Sequence, residues 1–125
     1  MDLNQVTLPS TNMKRSIEFY KSLGLQLIVA SSDSYSRFEF PDGNSTLSLS
    51  LVESIPNPQL AKIYFEVPDL GTYYHEQVER GTQFRSKPKE MSWLWKEASI
   101  EDPDGNSIVI FEAGSNRKNP PWRIN

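Results

Sequence analysis

Two stretches in the second half of the chain place aromatic side chains on predicted strands. Tyr64 lies between the apolar residues Ile63 and Phe65, and a single residue separates Trp93 from Trp95. In an extended strand, residues two apart face the same side of a sheet. Aromatic rings on one face can stack on the flat apolar parts of an organic molecule, which favours a binding wall. The alternative is that both tryptophans cover the sheet or a contact between two copies.

Charged residues share this spacing. Lys62 and Glu66 lie two positions to either side of Tyr64, and Glu97 follows Trp95 by two. In a closed pocket such groups could act as acid or base, and Lys62 would then need Glu66 or Glu97 as a partner. The alternative is an ordinary solvated charge group, which is common on strands.

Residue types for nucleophilic or zinc chemistry are scarce. The chain has no cysteine, and its one histidine, His75, lies in a predicted helix. Ser48 and Ser50 therefore lack a histidine that could activate them. We expect His75 to be an exposed helix residue and nucleophilic catalysis to be absent.

Composition restricts the class of protein. The chain of 125 residues has 13 basic and 16 acidic side chains and a net charge of −3, without a basic stripe. Nucleic acid is therefore excluded as an expected partner, because phosphate binding needs concentrated Lys and Arg. No run of 18 apolar residues and no secretory pattern is present, so we expect no membrane association and a cytoplasmic location.

Hydrophobic periodicity predicts the same order of elements twice. In the first half it predicts a strand over Leu3 to Leu8, a helix over Met13 to Leu23, and strands over Leu25 to Ser31, Tyr35 to Phe40 and Thr46 to Val52. In the second half it predicts a strand over Lys62 to Val67, a helix over Leu70 to Arg80, a short strand over Thr82 to Phe84, and strands over Trp93 to Glu101 and Ser107 to Glu112.

Repeated landmarks support an internal duplication. The sequence PDGNS occurs at 41–45 and again at 103–107, each time before an alternating strand, and Gly24 and Gly81 end the two predicted helices. The prediction is an α+β fold with two βαβββ modules in a single domain. Module one covers about 3–52, a linker 53–61, module two about 62–112 and a C-terminal tail 113–125.

Two motifs carry a resemblance to a known family. The run from Asn12 to Tyr20 (NMKRSIEFY) with Leu23-Gly24-Leu25, and the run from Glu101 to Asn106 (EDPDGN), resemble the glyoxalase/bleomycin resistance/dioxygenase superfamily, also called vicinal oxygen chelate proteins. The resemblance covers about Leu3 to Glu112. It implies paired βαβββ modules whose mixed sheet curls around a cavity, often completed in a homodimer. It does not imply one reaction.

The resemblance also implies where metal ligands would fall. In metal-dependent members four ligands come from strand positions that correspond here to Gln5, to Ser48 or Ser50, to Lys62 and to Val109. An ammonium repels a divalent cation and a valine donates nothing. We therefore predict no metal and no cofactor, and glyoxalase I, dioxygenase and metal-dependent fosfomycin-transferase activities are not expected.

Period-two alternation sorts the strand residues into two faces. The apolar face, suited to packing under the helices, consists of Val6, Leu8, Leu47, Leu49, Leu51, Ile63, Phe65, Val67, Ala98, Ile100, Ile108 and Ile110. The predicted ligand-binding residues on the opposite face are Gln5, Thr7, Arg37, Ser48, Ser50, Lys62, Tyr64, Glu66, Trp93, Trp95, Glu97, Val109 and Phe111. Tyr35 and Glu39 share the face of Arg37, and Ser99 that of Glu97.

The leading hypothesis is a metal-free binding protein that takes up a small organic or drug-like molecule in an aromatic pocket. The family precedent is sequestration of a bleomycin-type antibiotic. One alternative is a lyase or isomerase that uses Lys62, Glu66 or Glu97 as acid or base. Another is a metal-dependent enzyme whose ligands are displaced by a strand register slip.

The tail ends in a stiff, apolar stretch. Pro120-Pro121 is extended and has little entropy to lose on docking, and Trp122 and Ile124 supply two apolar anchors. We predict that Trp122 is substantially buried, against its own domain or across a dimer contact.

Overall fold

The computed structural model describes residues 1–55 and 61–124. Most of the predicted linker and Asn125 lie outside the described residues. The first half contains β1 (Gln5–Ser10), α1 (Met13–Ser22), β2 (Gln26–Ser31), β3 (Tyr35–Glu39) and β4 (Thr46–Leu51). The second half contains β5 (Lys62–Glu66), α2 (Leu70–Glu79), β6 (Lys89–Glu90), β7 (Lys96–Glu101), β8 (Ser107–Glu112) and a 3₁₀ helix (Gly114–Arg117).

Both halves have the same sheet topology. One four-stranded sheet has the order β1-β4-β3-β2 and the other the order β5-β8-β7-β6. In each, the first strand of the half pairs parallel with the last strand, and the remaining pairs are antiparallel. The predicted α+β fold with two βαβββ modules is therefore confirmed.

The chain divides into two compact units. Unit 1 contains the described residues up to 55 together with Asp102–Asn106, and unit 2 contains residues 61–101 and 107–124. The loop that joins β7 to β8 thus belongs to unit 1, although its flanking strands belong to unit 2.

In unit 1, α1 covers one face of the sheet. Asn12 caps the helix by accepting a hydrogen bond of 3.1 Å from the backbone N–H of Arg15. Gly24, at φ 108°, ends the helix region in a conformation that favours glycine. Tyr20 is fully buried, and its ring centroid lies 5.8 Å from that of Phe38 on β3. Residues 36 and 38 of β3 therefore face the helix, and residues 35 and 37 face the opposite side.

In unit 2, α2 is positioned in the same way. Asp69 caps it by accepting a hydrogen bond of 3.0 Å from Thr72 N, and the Glu112 carboxylate of β8 accepts one of 2.9 Å from Leu70 N. The backbone donors at the start of the helix are thus satisfied from two directions. The fully buried members of the apolar face of this sheet are Ala98, Ile100, Ile108 and Ile110.

The apolar face predicted from the alternation is mostly buried. Leu8, Leu47, Leu49 and Phe65 are also buried, and Val6, Ile63 and Val67 are half-buried. Leu51 differs, because it is the last residue of β4 and 45% of its surface is exposed.

The two copies of the PDGN turn have different surroundings. Residues 41–44 are exposed, whereas Asp102 and Asn106 in the second copy are buried. Asp102 accepts hydrogen bonds from Tyr20 Oη at 2.6 Å, from Asn106 Nδ2 at 2.7 Å, from Asn106 N at 2.8 Å and from Asp104 N at 2.9 Å. The second copy is thereby anchored to α1. The two motifs that carry the family resemblance, 12–20 and 101–106, are thus joined by a hydrogen bond.

The carboxylate of Asp104 binds the start of α1. Its side chain is only 2% exposed and forms an ion pair of 3.2 Å with Arg15. It also accepts hydrogen bonds from Thr11 and, at 3.1 Å, from Ser16 Oγ. Burial acts to raise the pKa of Asp104, but the hydrogen bonds from Thr11 and Ser16 and the charge of Arg15 outweigh it and hold that pKa below the ordinary 3.8.

Two predicted strands in unit 2 are corrected by the structure. No strand forms over Thr82 to Phe84; the edge strand is β6, which pairs with Lys96 and Glu97 of β7. β7 begins at Lys96 rather than at Trp93, because the three residues before Trp95 form the hairpin loop between β6 and β7. Met91 N donates to Trp95 O at 2.8 Å to close that loop, and Leu94 adopts φ 68°.

The expected burial of Trp122 against its own domain is wrong. Trp122 is 56% exposed and Ile124 is 92% exposed. The tail instead docks through its first residues, because Trp95 Nε1 donates to Asn116 O at 3.3 Å and Arg117 forms an ion pair of 3.2 Å with Glu66. No helix among the described residues is long and apolar enough to cross a membrane.

Candidate functional site

In unit 2, strand pairing places the predicted binding residues on the face of the sheet opposite the buried isoleucines. Tyr64 on β5 is opposite Val109 on β8, which is opposite Ser99 on β7. The next row joins Glu66, Phe111 and Glu97 in the same order. Each row brings together residues that are up to 45 positions apart in the sequence.

Three rings form the centre of this face. Trp95 stacks on Phe111 with centroids 4.7 Å apart, and Tyr64 meets both rings edge-on at 6.0 and 5.6 Å. Val109 and Phe111 are each 4% exposed, whereas Tyr64 is 43% exposed and Trp95 is half-buried. We call Tyr64, Trp95, Phe111 and Val109 the aromatic face. Its floor is buried, and its upper rings are open to solvent.

The charged residues around the aromatic face do not form the expected lysine–carboxylate pair. Glu66 is paired with Arg117, and Glu97 accepts a hydrogen bond of 2.7 Å from Trp93 Nε1. Lys62 is exposed, and no carboxylate of the described residues lies within ion-pair distance of it. Both glutamates thus have other partners, which orient them at the edge of the face.

Trp93 lies at the tip of the β6–β7 hairpin rather than on a strand. It is 41% exposed, and the adjacent Leu94 is 42% exposed in a left-handed conformation that bulky residues rarely adopt. The bond from Trp93 Nε1 to Glu97 directs the indole back along β7.

In unit 1, the face opposite α1 carries a polar row. Arg37 on β3 is opposite Ser48 on β4, which is opposite Thr7 on β1. The hydroxyls of Thr7 and Ser48 share a hydrogen bond of 2.7 Å. Two further rows flank this one. In the first, Thr46 Oγ1 donates a hydrogen bond of 2.8 Å to Gln5 Oε1. In the second, the half-buried Ser50 is opposite Tyr35.

Tyr35 and Arg37 form a pair on this polar face. Arg37 Nε donates to Tyr35 Oη at 3.0 Å, and the guanidinium carbon lies 5.5 Å from the centroid of the tyrosine ring. A hydrogen bond with Ser48 lowers the pKa of Tyr35 from its ordinary value of 10.0, and burial acts to raise it. The hydrogen bond and charge of Arg37 and a hydrogen bond with Gln5 add to the lowering, so that burial is outweighed. The pair therefore places a half-buried guanidinium next to a phenol whose pKa is lowered.

The geometry and the sequence comparisons agree on the family. The family model of the glyoxalase/bleomycin resistance protein/dioxygenase superfamily matches residues 2–110. The chain belongs to this superfamily.

One curated relative and two solved structures are similar to this chain over most of their length. The uncharacterized protein YraH of Bacillus subtilis (strain 168) is 29% identical over 128 residues, which cover 90% of this chain and 98% of YraH. A bleomycin-binding protein, solved in complex with bleomycin, has a TM-score of 0.73 at 19% identity, covering 90% of this chain and 98% of its own. A lactoylglutathione lyase from Agrobacterium tumefaciens has a TM-score of 0.73 at 17% identity, covering 89% and 92%. The similarity to both structures shows the fold.

The residues at the superfamily's metal-ligand positions do not fit a divalent cation. The Ser48 hydroxyl is bonded to Thr7, and Val109 is buried in the cluster of Phe111, Ala113 and Trp95. Lys62 would add a positive charge. Gln5 is the one suitable donor in this set. Within residues 1–55 and 61–124, no three His, Asp or Glu side chains come together as a metal-binding group.

The structure also adds residues that the sequence interpretation missed. Asn116 and Arg117 hold Trp95 and Glu66 from the tail, and no signal in the sequence connects them. Tyr35 was identified only as sharing a face with Arg37, although a tyrosine two residues from an arginine on one strand is a signal of such a pair. His75 is exposed, as expected.

Proposed function

We propose that this protein binds a small organic molecule that stacks on the aromatic face of unit 2. The observation that carries the proposal is the exposure of Tyr64, 43%, directly beside a half-buried Trp95 on the face of the sheet opposite the buried isoleucines. A flat apolar ligand on these rings would remove apolar surface from water. Each aromatic pair would add about 0.5–1.5 kcal/mol beyond that burial.

The comparison with the bleomycin-binding protein supports a binding role, because that relative has the same fold and was solved with its ligand. The residues at the metal-ligand positions, among them Lys62 and Val109, support a metal-free role. We further propose that the two units act as one domain, that the protein works as a homodimer, and that it is cytoplasmic.

The second candidate function is a metal-free lyase or isomerase of the same superfamily. Tyr35 favours it, since the lowered pKa and the adjacent guanidinium suit a phenol that gives and regains a proton. The sequence pointed instead to Lys62, Glu66 and Glu97, but both glutamates are engaged elsewhere.

Mass spectrometry of natively purified protein tests the proposal by identifying any co-purified small molecule. In parallel, a panel of flat aromatic compounds is titrated against tryptophan fluorescence. We expect a saturable change, because Trp95 lies on the aromatic face. Saturable turnover of a bound compound would favour the second function, and the absence of any saturable change across the panel would contradict the first.

A further inference from the structure

The guanidinium of Arg37 lacks an acidic partner. No carboxylate among the described residues lies within ion-pair distance of it, and Glu39, the acidic residue two positions along β3, belongs to the neighbouring row opposite Thr46. Gln5, Thr7 and Ser48 on the same face are neutral, so that Glu39 supplies the acidic charge of this face from its own row. The guanidinium of Arg37 is therefore not engaged in an ion pair within the described part of the chain.

Arg37 is nevertheless held in place. Its Nε is used by Tyr35, and its guanidinium is close to the tyrosine ring, which is a cation–π arrangement. The two terminal nitrogens, Nη1 and Nη2, have no acceptor among the described residues. This edge presents parallel N–H groups whose spacing matches the two oxygens of a planar oxyanion.

Tyr35 completes the arrangement. Its oxygen accepts the hydrogen bond from Arg37, so that its own proton is available for donation. The orienting bond is made before any ligand arrives, so that less entropy is lost on binding.

We propose that Arg37 and Tyr35 form a binding site for an organic oxyanion, in the first place a carboxylate, on the polar face of unit 1. This site goes beyond the proposed function and stands on unit 1 alone. All three tryptophans belong to unit 2, so the two sites have separate readouts.

Benzoate and benzamide are suitable probes, because they match in shape and differ in charge. Each is titrated while NMR follows the Arg37 side-chain Nε–H and the backbone amides of β3. We expect benzoate to shift these signals and to bind about tenfold or more tighter than benzamide, as a charge-assisted pair would give. Phenylphosphonate in a third arm distinguishes a phosphonate from a carboxylate, and either anion supports the site.

Two variants and a control complete the test. Arg37→Gln should remove the preference for benzoate, and Tyr35→Phe should weaken benzoate binding severalfold while retaining the ring. Arg80→Gln, at the exposed end of α2, should change neither. Equal binding of benzamide, benzoate binding by Arg37→Gln at the wild-type affinity, or no shift in β3 with any anion would overturn the inference. None of these results depends on whether compounds bind the aromatic face.

Discussion

The indole of Trp95 lies over the ring of Phe111 with their planes inclined by only 21°. Phe111 lies in β8, and Trp95 is the residue just before β7. The indole N–H of Trp95 also donates a hydrogen bond to the carbonyl of Asn116. Phe111 is therefore covered by a side chain that is itself only half-buried. The aromatic face has a buried floor and upper rings that are accessible to solvent, as a stacking ligand requires.

Trp95→Ala should weaken binding of any aromatic ligand found by fluorescence or mass spectrometry by about tenfold, because a stacking partner is lost. It should also lower the free energy of unfolding by about 1–3 kcal/mol, less than for a fully buried tryptophan, because Phe111 and Val109 become exposed. Isothermal titration calorimetry and urea unfolding measure the two effects. Trp122→Ala, which removes an exposed tryptophan of the tail, is the matched control and should change neither. Unchanged affinity in Trp95→Ala would show that the aromatic face is not the binding site.

Tyr20→Phe should destabilise unit 1 by about 1–3 kcal/mol, because it removes the buried hydrogen bond to Asp102 and leaves that carboxylate with one donor fewer. Urea unfolding measures the loss. The control is Tyr74→Phe, the same chemical change at a hydroxyl without a hydrogen-bond partner among the described residues, and it should be close to neutral. Equal effects of the two variants would mean that the bond to Asp102 contributes nothing.

Asp104 should make the stability depend on pH in the acid range. Its pKa is lower in the folded chain than the ordinary 3.8, so its contribution is fully present above that value and is lost as the pH falls through the folded pKa. Asp104→Asn should therefore cost about 1–3 kcal/mol at pH 7 and progressively less below pH ~4. Unfolding free energies of both proteins between pH 7 and 2.5 test this, with exposed Asp33→Asn as control. A difference that stays constant with pH would contradict the assignment.

Leu94→Asn should be more stable than Leu94→Ala by about 0.5–1 kcal/mol, since asparagine tolerates the left-handed conformation at φ 68° and alanine does not. Comparison with alanine separates backbone strain from loss of the leucine side chain. Thermal or urea unfolding provides the measurement. If alanine is equal or better, the hairpin loop carries no strain worth relieving.

Untagged protein should contain no stoichiometric divalent metal, because Lys62 and Val109 occupy two of the four ligand positions that the superfamily implies. Isomerisation of the methylglyoxal–glutathione adduct should accordingly be absent with any added divalent metal. Elemental analysis and a spectrophotometric assay measure these outcomes. One tightly bound Zn, Ni, Mn or Fe per chain would show that the ligands come from other residues.

Much of the fold was predictable from local patterns. Ser107–Glu112 and both helix starts agree with the expected bounds, because strong alternation, a capping residue and a glycine stop act over a few residues. The edge strand Lys89–Glu90 was missed, since both residues are charged and their pairing with β7 alone makes them a strand. The hairpin loop was missed because Leu94 occupies a position where glycine or asparagine would have given the signal.

The sequence by itself determined which side chains share a face, because period-two alternation follows from the geometry of a strand whatever it pairs with. It therefore assigned the side chains of Tyr64, Phe111, Thr7, Arg37 and Ser48 to the side of the strands opposite the apolar face, and the structure divides them between two sheets. Only the tertiary structure decided what those side chains do. It brought Asp102 into hydrogen-bond contact with Tyr20, 82 positions away, and paired Glu66 with Arg117. It also left Arg37 without an ion-pair partner among the described residues. Such pairings depend on strand order and on where loops return, and no local pattern carries that information.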